Sequence, residues 1–155
     1  MSFVAIQHGN NKAYCRDNEI SWVAWSRRNQ DLFRFVRGML SLRRSSAVLR
    51  SEAFYNAREI DWFDPAGRSP DWLDARVKYV DCRLHGQEQR DLCLLFNRAN
   101  AFTLPCAGGH ESRDCAQDTT KPFPDDFHDM GEEAVLSNPD RYVFESRSSI
   151  ILVAR

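Results

Sequence analysis

The strongest constraint on this chain is how it is cut up after Ser51: short apolar runs, each closed by turn residues, with no helical period between them. The runs cover residues 58–63, 77–85, 91–97, 102–105 and 141–154, and turn formers such as Pro65-Ala66-Gly67 and Gly86 break them apart. Val80, Cys82 and Leu84 share one parity and Tyr79, Asp81 and Arg83 the other, the alternation of a half-buried strand. Residues 92–96 are apolar throughout, which suits a central strand, and residues 150–153 form a second continuous buried run. Short strands with frequent turns and no intervening helix predict an antiparallel β-sandwich. Residues 106–140, punctuated by Gly108-Gly109, Pro122, Pro124 and Asn138-Pro139, predict one short strand near 111–115 and a long surface loop.

Ahead of the strands lies one amphipathic helix. From about Asn29 to Arg44, apolar residues fall at Leu32, Phe35, Val36, Met39, Leu40 and Leu42, at the spacing of one helix face. Asn29 or Asp31 can cap its start, and Arg43 and Arg44 suit the negative end of its dipole. The stripe predicts core packing and the helix arginines a solvated face. Residues before 29 read as a loop. The expected fold is therefore mainly β: an antiparallel sandwich preceded by a loop and one helix. With 43% apolar residues in 155, a real core is available.

Charge excludes some functions. The 21 basic and 22 acidic residues are interspersed, and the pairs Arg27-Arg28 and Arg43-Arg44 are short, so no sustained basic face for nucleic acid is expected. No 18-residue apolar stretch exists to span a membrane, and no secretory signal opens the sequence. Five cysteines, an odd number without a Cys-x-x-Cys pair, predict reduced thiols in a cytoplasmic protein.

Glycosidases use two carboxylates flanking the scissile bond. Asp61 and Asp64 would point to opposite faces of a strand. Asp125-Asp126 and Glu132-Glu133 lie in loop sequence and read as solvated surface. Cys106, His110 and Cys115 come nearest to a metal set, but no second close pair follows. No catalytic residue, metal or cofactor is predicted. The stretch from Gly9 to Trp25 is richer, with Asn10, Asn11, Tyr14, Asp17, Asn18, Glu19, Trp22 and Trp25 in one loop. Amides and carboxylates hydrogen-bond sugar hydroxyls, and aromatic rings stack on the apolar face of a pyranose. A self-bonded loop with buried tryptophans accounts for the same composition.

The run Gln7-His8-Gly9-Asn10-Asn11-Lys12-Ala13-Tyr14-Cys15-Arg16-Asp17-Asn18-Glu19-Ile20-Ser21-Trp22 resembles the segment after the last barrel strand of bacterial glycogen-debranching enzymes and isoamylases, members of the α-amylase superfamily. Lys12 and Arg16 depart from the family pattern. Residues 31–49 resemble the final barrel helix, and Asp61-Trp62, Asp64-Pro65-Ala66-Gly67 and Asp71-Trp72 the entry to the C-terminal β-sandwich. Residues 91–97 and Arg147-Ser148-Ser149 with 150–153 resemble two of its strands.

The resemblance implies two units, residues 1–50 from the end of a (β/α)8 barrel and residues 51–155 as the sandwich. It implies α-1,6 debranching of glycogen in the complete enzyme, through a covalent glucosyl intermediate. The nucleophile, acid/base and third carboxylate belong to barrel strands upstream of this segment, so the chain alone is expected to be inactive. An α-glucan contact through Asn10, Asn11, Tyr14, Asp17 and Asn18 is the expected binding role. Folding back onto the sandwich, a second copy or an N-terminal barrel fragment is the expected cover for the helix stripe.

Overall fold

The Asn29 side chain accepts a hydrogen bond from the Leu32 amide at 3.0 Å and opens helix α1, Gln30–Ser45. In the computed structural model, which describes residues 14, 17–19, 22, 29–86, 90–105, 113–136 and 141–154, a short 3-10 turn, Ala47–Arg50, follows α1. Eight strands come next: β1 Ile60–Phe63, β2 Tyr79–Leu84, β3 Leu92–Asn97, β4 Phe102–Pro105, β5 Arg113–Asp118, β6 Ala134–Val135, β7 Arg141–Phe144 and β8 Ser148–Ala154. Six form one sheet in the order β1-β2-β3-β8-β5-β6, and β4 pairs with β7 in a second. Every neighbouring pair is antiparallel. The expected class, mainly antiparallel β with one leading helix, is the class observed.

The six-stranded sheet carries a core on each face. Leu42 of α1 packs with Cys82, Leu84, Leu92, Ala116, Ile151 and Val153, joined by Met39, Val48 and Leu49. On the other face Tyr79, Cys93, Leu95, Cys115, Ile150 and Leu152 meet Phe144 and Tyr142 of the small sheet. This double cover corrects one expectation. Strand β2 is not half-buried: Tyr79, Asp81, Cys82 and Leu84 are all at most 5% exposed, because α1 covers one parity and the β4–β7 pair the other.

Residues 113–136 depart further from their sequence reading. Strand β5 lies inside the sheet between β8 and β6, with Asp114–Asp118 buried. Its polar side chains are satisfied there. Gln117 Nε2 donates to the Ser149 carbonyl at 3.3 Å. The Asp118 carboxylate accepts from the Tyr142 hydroxyl and the Thr120 hydroxyl, each at 2.6 Å, and from the Thr120 amide at 2.9 Å.

The β5–β8 register slips between Cys115 and Gln117, a bulge that frees the Ala116 carbonyl to accept from His128 N at 2.8 Å. The following loop is thereby folded back under α1. Phe127 presses on Gly38 so closely that a Cβ there would sit 2.8 Å from its ring. Arg34 pairs with Asp126 at 2.6 Å and lies 4.5 Å from the centre of the Phe123 ring. Glu133, with only 3% of its side chain exposed, is held by Arg90. Asp126, Glu133 and Arg34 were each expected on a solvated face; they instead join separate elements.

Cys82, Cys93 and Cys115 are buried and unbonded, and burial pushes each thiol up to about 11. Cys106 and His110 lie outside the described residues. Cys115 is a core residue whose Sγ faces the Gln117 carbonyl at 3.5 Å. Among the described residues, no group of three or more His, Cys, Asp or Glu side chains is arranged to hold a metal ion, and no helix is long and apolar enough to cross a membrane.

One clamp at the sheet edge is pH-sensitive. His85 Nε2 lies 2.8 Å from Asp61 and Nδ1 lies 2.9 Å from Asp91. Only the doubly protonated ring donates to both. Hydrogen bonds to Asp61 and then Asp91 hold the imidazole pKa above its ordinary value, against a smaller opposing effect of burial. A raised pKa contributes stability that is complete below the unfolded value, about 6.5, and is lost as pH rises through the folded value. Melting at about pH 6 and about pH 9 should show wild type losing more stability at the higher pH than His85→Gln. The site is partly exposed, so the expected difference is a few degrees at most. Equal losses in both proteins would remove the clamp.

Candidate functional site

The helix covers only part of its face of the large sheet. In the β2–β3–β8 register, Val80 pairs with Phe96 and Phe96 with Ser149. This row lies beyond the part α1 covers, and Phe96 is 45% exposed. It floors a groove of about 820 Å³.

One wall is the loop between β1 and β2. The Asp71 carboxylate accepts from the Leu73 amide at 3.0 Å, and the Asp74 amide donates to the Asp71 carbonyl at 3.2 Å. That turn presents Trp72, 64% exposed, edge-on to Trp62 with ring centres 5.4 Å apart. The opposite wall is Thr119, whose hydroxyl accepts from Ser149 N at 2.9 Å. Amphipathic rings beside hydroxyl groups are the usual lining of a small-molecule site.

The groove ends on positive charge. Continuing the same register, Arg98 N donates to the Lys78 carbonyl at 2.8 Å, so these two residues stand directly opposite each other. Asn97 pairs with Ser148, and Arg147 precedes Ser148 in the turn that enters β8. Lys78, Arg98 and Arg147 all line the groove and also a second hollow of about 660 Å³ beyond it. Buried Asn97 fixes the corner: its amide donates to the Glu145 carbonyl at 2.7 Å and the Asn100 carbonyl at 3.1 Å. Arg147 sits there at φ 53°, a left-handed conformation that a side chain makes unfavourable.

Of the residues singled out in the sequence, Tyr14, Asp17 and Asn18 do not line the groove. Asn10 and Asn11 lie outside the described residues. Tyr14, Asp17 and Asn18 are exposed, and the Trp22 indole donates to the Asp17 carboxylate while Trp22 N donates to the Asn18 carbonyl. Local bonding of this kind fits the self-bonded loop, yet Trp22 is 57% exposed rather than buried. Nothing in the sequence marks Lys78, Phe96, Arg98 and Arg147 as one site, because only the strand register brings them together.

Fold and groove define a class, an antiparallel β-domain with one leading helix and an aromatic, cation-ended surface groove. The chain is related in sequence to bacterial glycogen-debranching enzymes, as the resemblance at its start implied. It is 32% identical over 104 residues to a glycogen operon protein GlgX homolog of Haemophilus influenzae, covering 64% of this chain and 15% of that protein. A glycogen debranching enzyme of Pectobacterium carotovorum is 32% identical over 123 residues, 75% of this chain and 18% of the enzyme. A GlgX homolog of Mycobacterium tuberculosis is 38% identical over 95 residues, 52% and 13% respectively. The chain thus spans less than a fifth of the length of these relatives. Among solved structures, trehalulose synthase MutB superimposes over 80% of this chain and 18% of its own, with TM-score 0.49 and 12% identity. No protein-family model matches.

Proposed function

We propose that this chain is the C-terminal β-domain of a glycogen-debranching type of enzyme, and that the 155 residues by themselves hydrolyse no glycosidic bond. The observation that carries this reading is the 123-residue match to a debranching enzyme of which it represents 18%. The carboxylates support it. Double displacement at a glycosidic bond needs one carboxylate free to attack and another held protonated beside it. Here Asp61 and Asp91 clamp His85, Asp64 pairs with Arg68 at 3.0 Å, Asp74 with Arg76 at 2.9 Å and Asp126 with Arg34. Asp81 is raised by burial, but it is 4% exposed and bonded to Arg83, out of reach of a glucan.

Its role is then to support or extend an α-glucan-acting partner segment. Incubation of the purified chain with glycogen or phosphorylase limit dextrin should release no reducing ends above a protein-free control. Release that scales with protein concentration would overturn the reading.

A further inference from the structure

The set Lys78, Arg98 and Arg147 has no structural explanation of its own. Lys78 and Arg98 face each other across neighbouring strand ends, where like charges are destabilising, and strands lie only about 4.8 Å apart. Lys78 and Arg147 form no ion pair among the described residues, and there the Arg98 guanidinium donates to the Ala75 carbonyl at 3.2 Å and to no carboxylate. Two carboxylates also line the groove, but Asp74 is neutralised by Arg76 and one Asp71 oxygen caps its own turn. Arg147 moreover holds an unfavourable backbone conformation that glycine would adopt freely. Three cations that line one groove and form no salt bridge among the described residues, one of them in a strained corner, form a place for an external anion.

The anion would have a neighbour. The three cations and the Val80–Phe96–Ser149 row line the same groove, with Trp72 in its wall. Aromatic rings accept the C–H face of a pyranose, and the Thr119 hydroxyl, which donates to the Ser149 carbonyl at 3.3 Å, keeps acceptor capacity for the sugar's edge.

We propose that the groove binds a phosphorylated sugar, with its phosphate on Lys78, Arg98 and Arg147 and its ring between Phe96 and Trp72. This rests on the carbohydrate reading above for its choice of sugar over other phosphate esters. It gives the domain a substrate-recognition role toward phosphate-bearing α-glucan or free sugar phosphate.

The test is calorimetric titration of the intact chain with glucose 6-phosphate, maltoheptaose, inorganic phosphate and AMP, at low and high salt. Glucose 6-phosphate should bind best, and more weakly as salt rises. Lys78→Ala and Trp72→Ala should each weaken it about tenfold or more. Arg147→Gly should weaken binding while leaving the melting temperature equal or higher, since it relieves the left-handed corner. This separates a lost ligand contact from a lost fold. Tighter binding of AMP, equal binding of inorganic phosphate or of maltoheptaose, or no binding at millimolar ligand would each overturn the proposal. None of these results bears on whether the chain hydrolyses glycogen, so the two readings fail separately.

Discussion

Leu42→Ala is expected to lower the unfolding free energy by about 3 kcal/mol, the cost of a cavity where α1 meets the large sheet. Leu42 is 2% exposed and shares its cluster with strand residues from β2, β3, β5 and β8. The rest of α1 holds on less firmly: Phe33, Val36 and Leu40 are at least 36% exposed. Leu42 is therefore the main apolar anchor, assisted by the Arg34–Asp126 pair and by the close seating of Phe127 on Gly38. Urea unfolding followed by both helical circular dichroism and tryptophan fluorescence should show one shifted transition. A helix that unfolds early while the strands keep their wild-type midpoint would show that residues 1–50 behave as a separate unit.

The second large effect is expected on the opposite face. Phe144→Ala should cost about 4 kcal/mol. The ring is fully buried and meets Tyr79 edge-on at 5.6 Å between centres, an arrangement worth more than its area alone. Phe144 is the principal side chain through which the β4–β7 pair grips the large sheet, with Tyr142 beside it. The two cavities lie on opposite sides of the six-stranded sheet, so the double variant should lose the sum of the single losses. A loss well below about 1 kcal/mol for Phe144→Ala would mean that the small sheet contributes little to the fold.

Much of this architecture was readable from side-chain periodicity. Helix α1, the Asn29 cap and the runs that became β1, β2, β3 and β8 all follow from apolar spacing and turn residues, but the α1 stripe overstates the core, since Val36 and Leu40 are 37% and 51% exposed. Strand β5 was only partly readable. Arg-Asp-Cys-Ala-Gln-Asp carries one thiol and one methyl as its apolar content, and it is stable inside the sheet only because Tyr142, Thr120 and Ser149 satisfy Asp118 and Gln117. Tyr142 and Ser149 are distant in sequence from the residues they satisfy, as are Arg34 from Asp126 and Arg90 from Glu133. The groove was hidden for the same reason. Lys78, Arg98 and Arg147 are unremarkable singly, and they become a site only when three strand ends are brought level.

The three buried cysteines have a practical consequence. A thiol whose pKa is near 11 is almost wholly protonated at neutral pH and sealed from reagent, so alkylation must await a transient opening of the native structure. Cys82 faces the helix layer, whereas Cys93 and Cys115 face the small sheet. Their labelling rates would therefore clock separately how often each side of the molecule breathes, without introducing a probe.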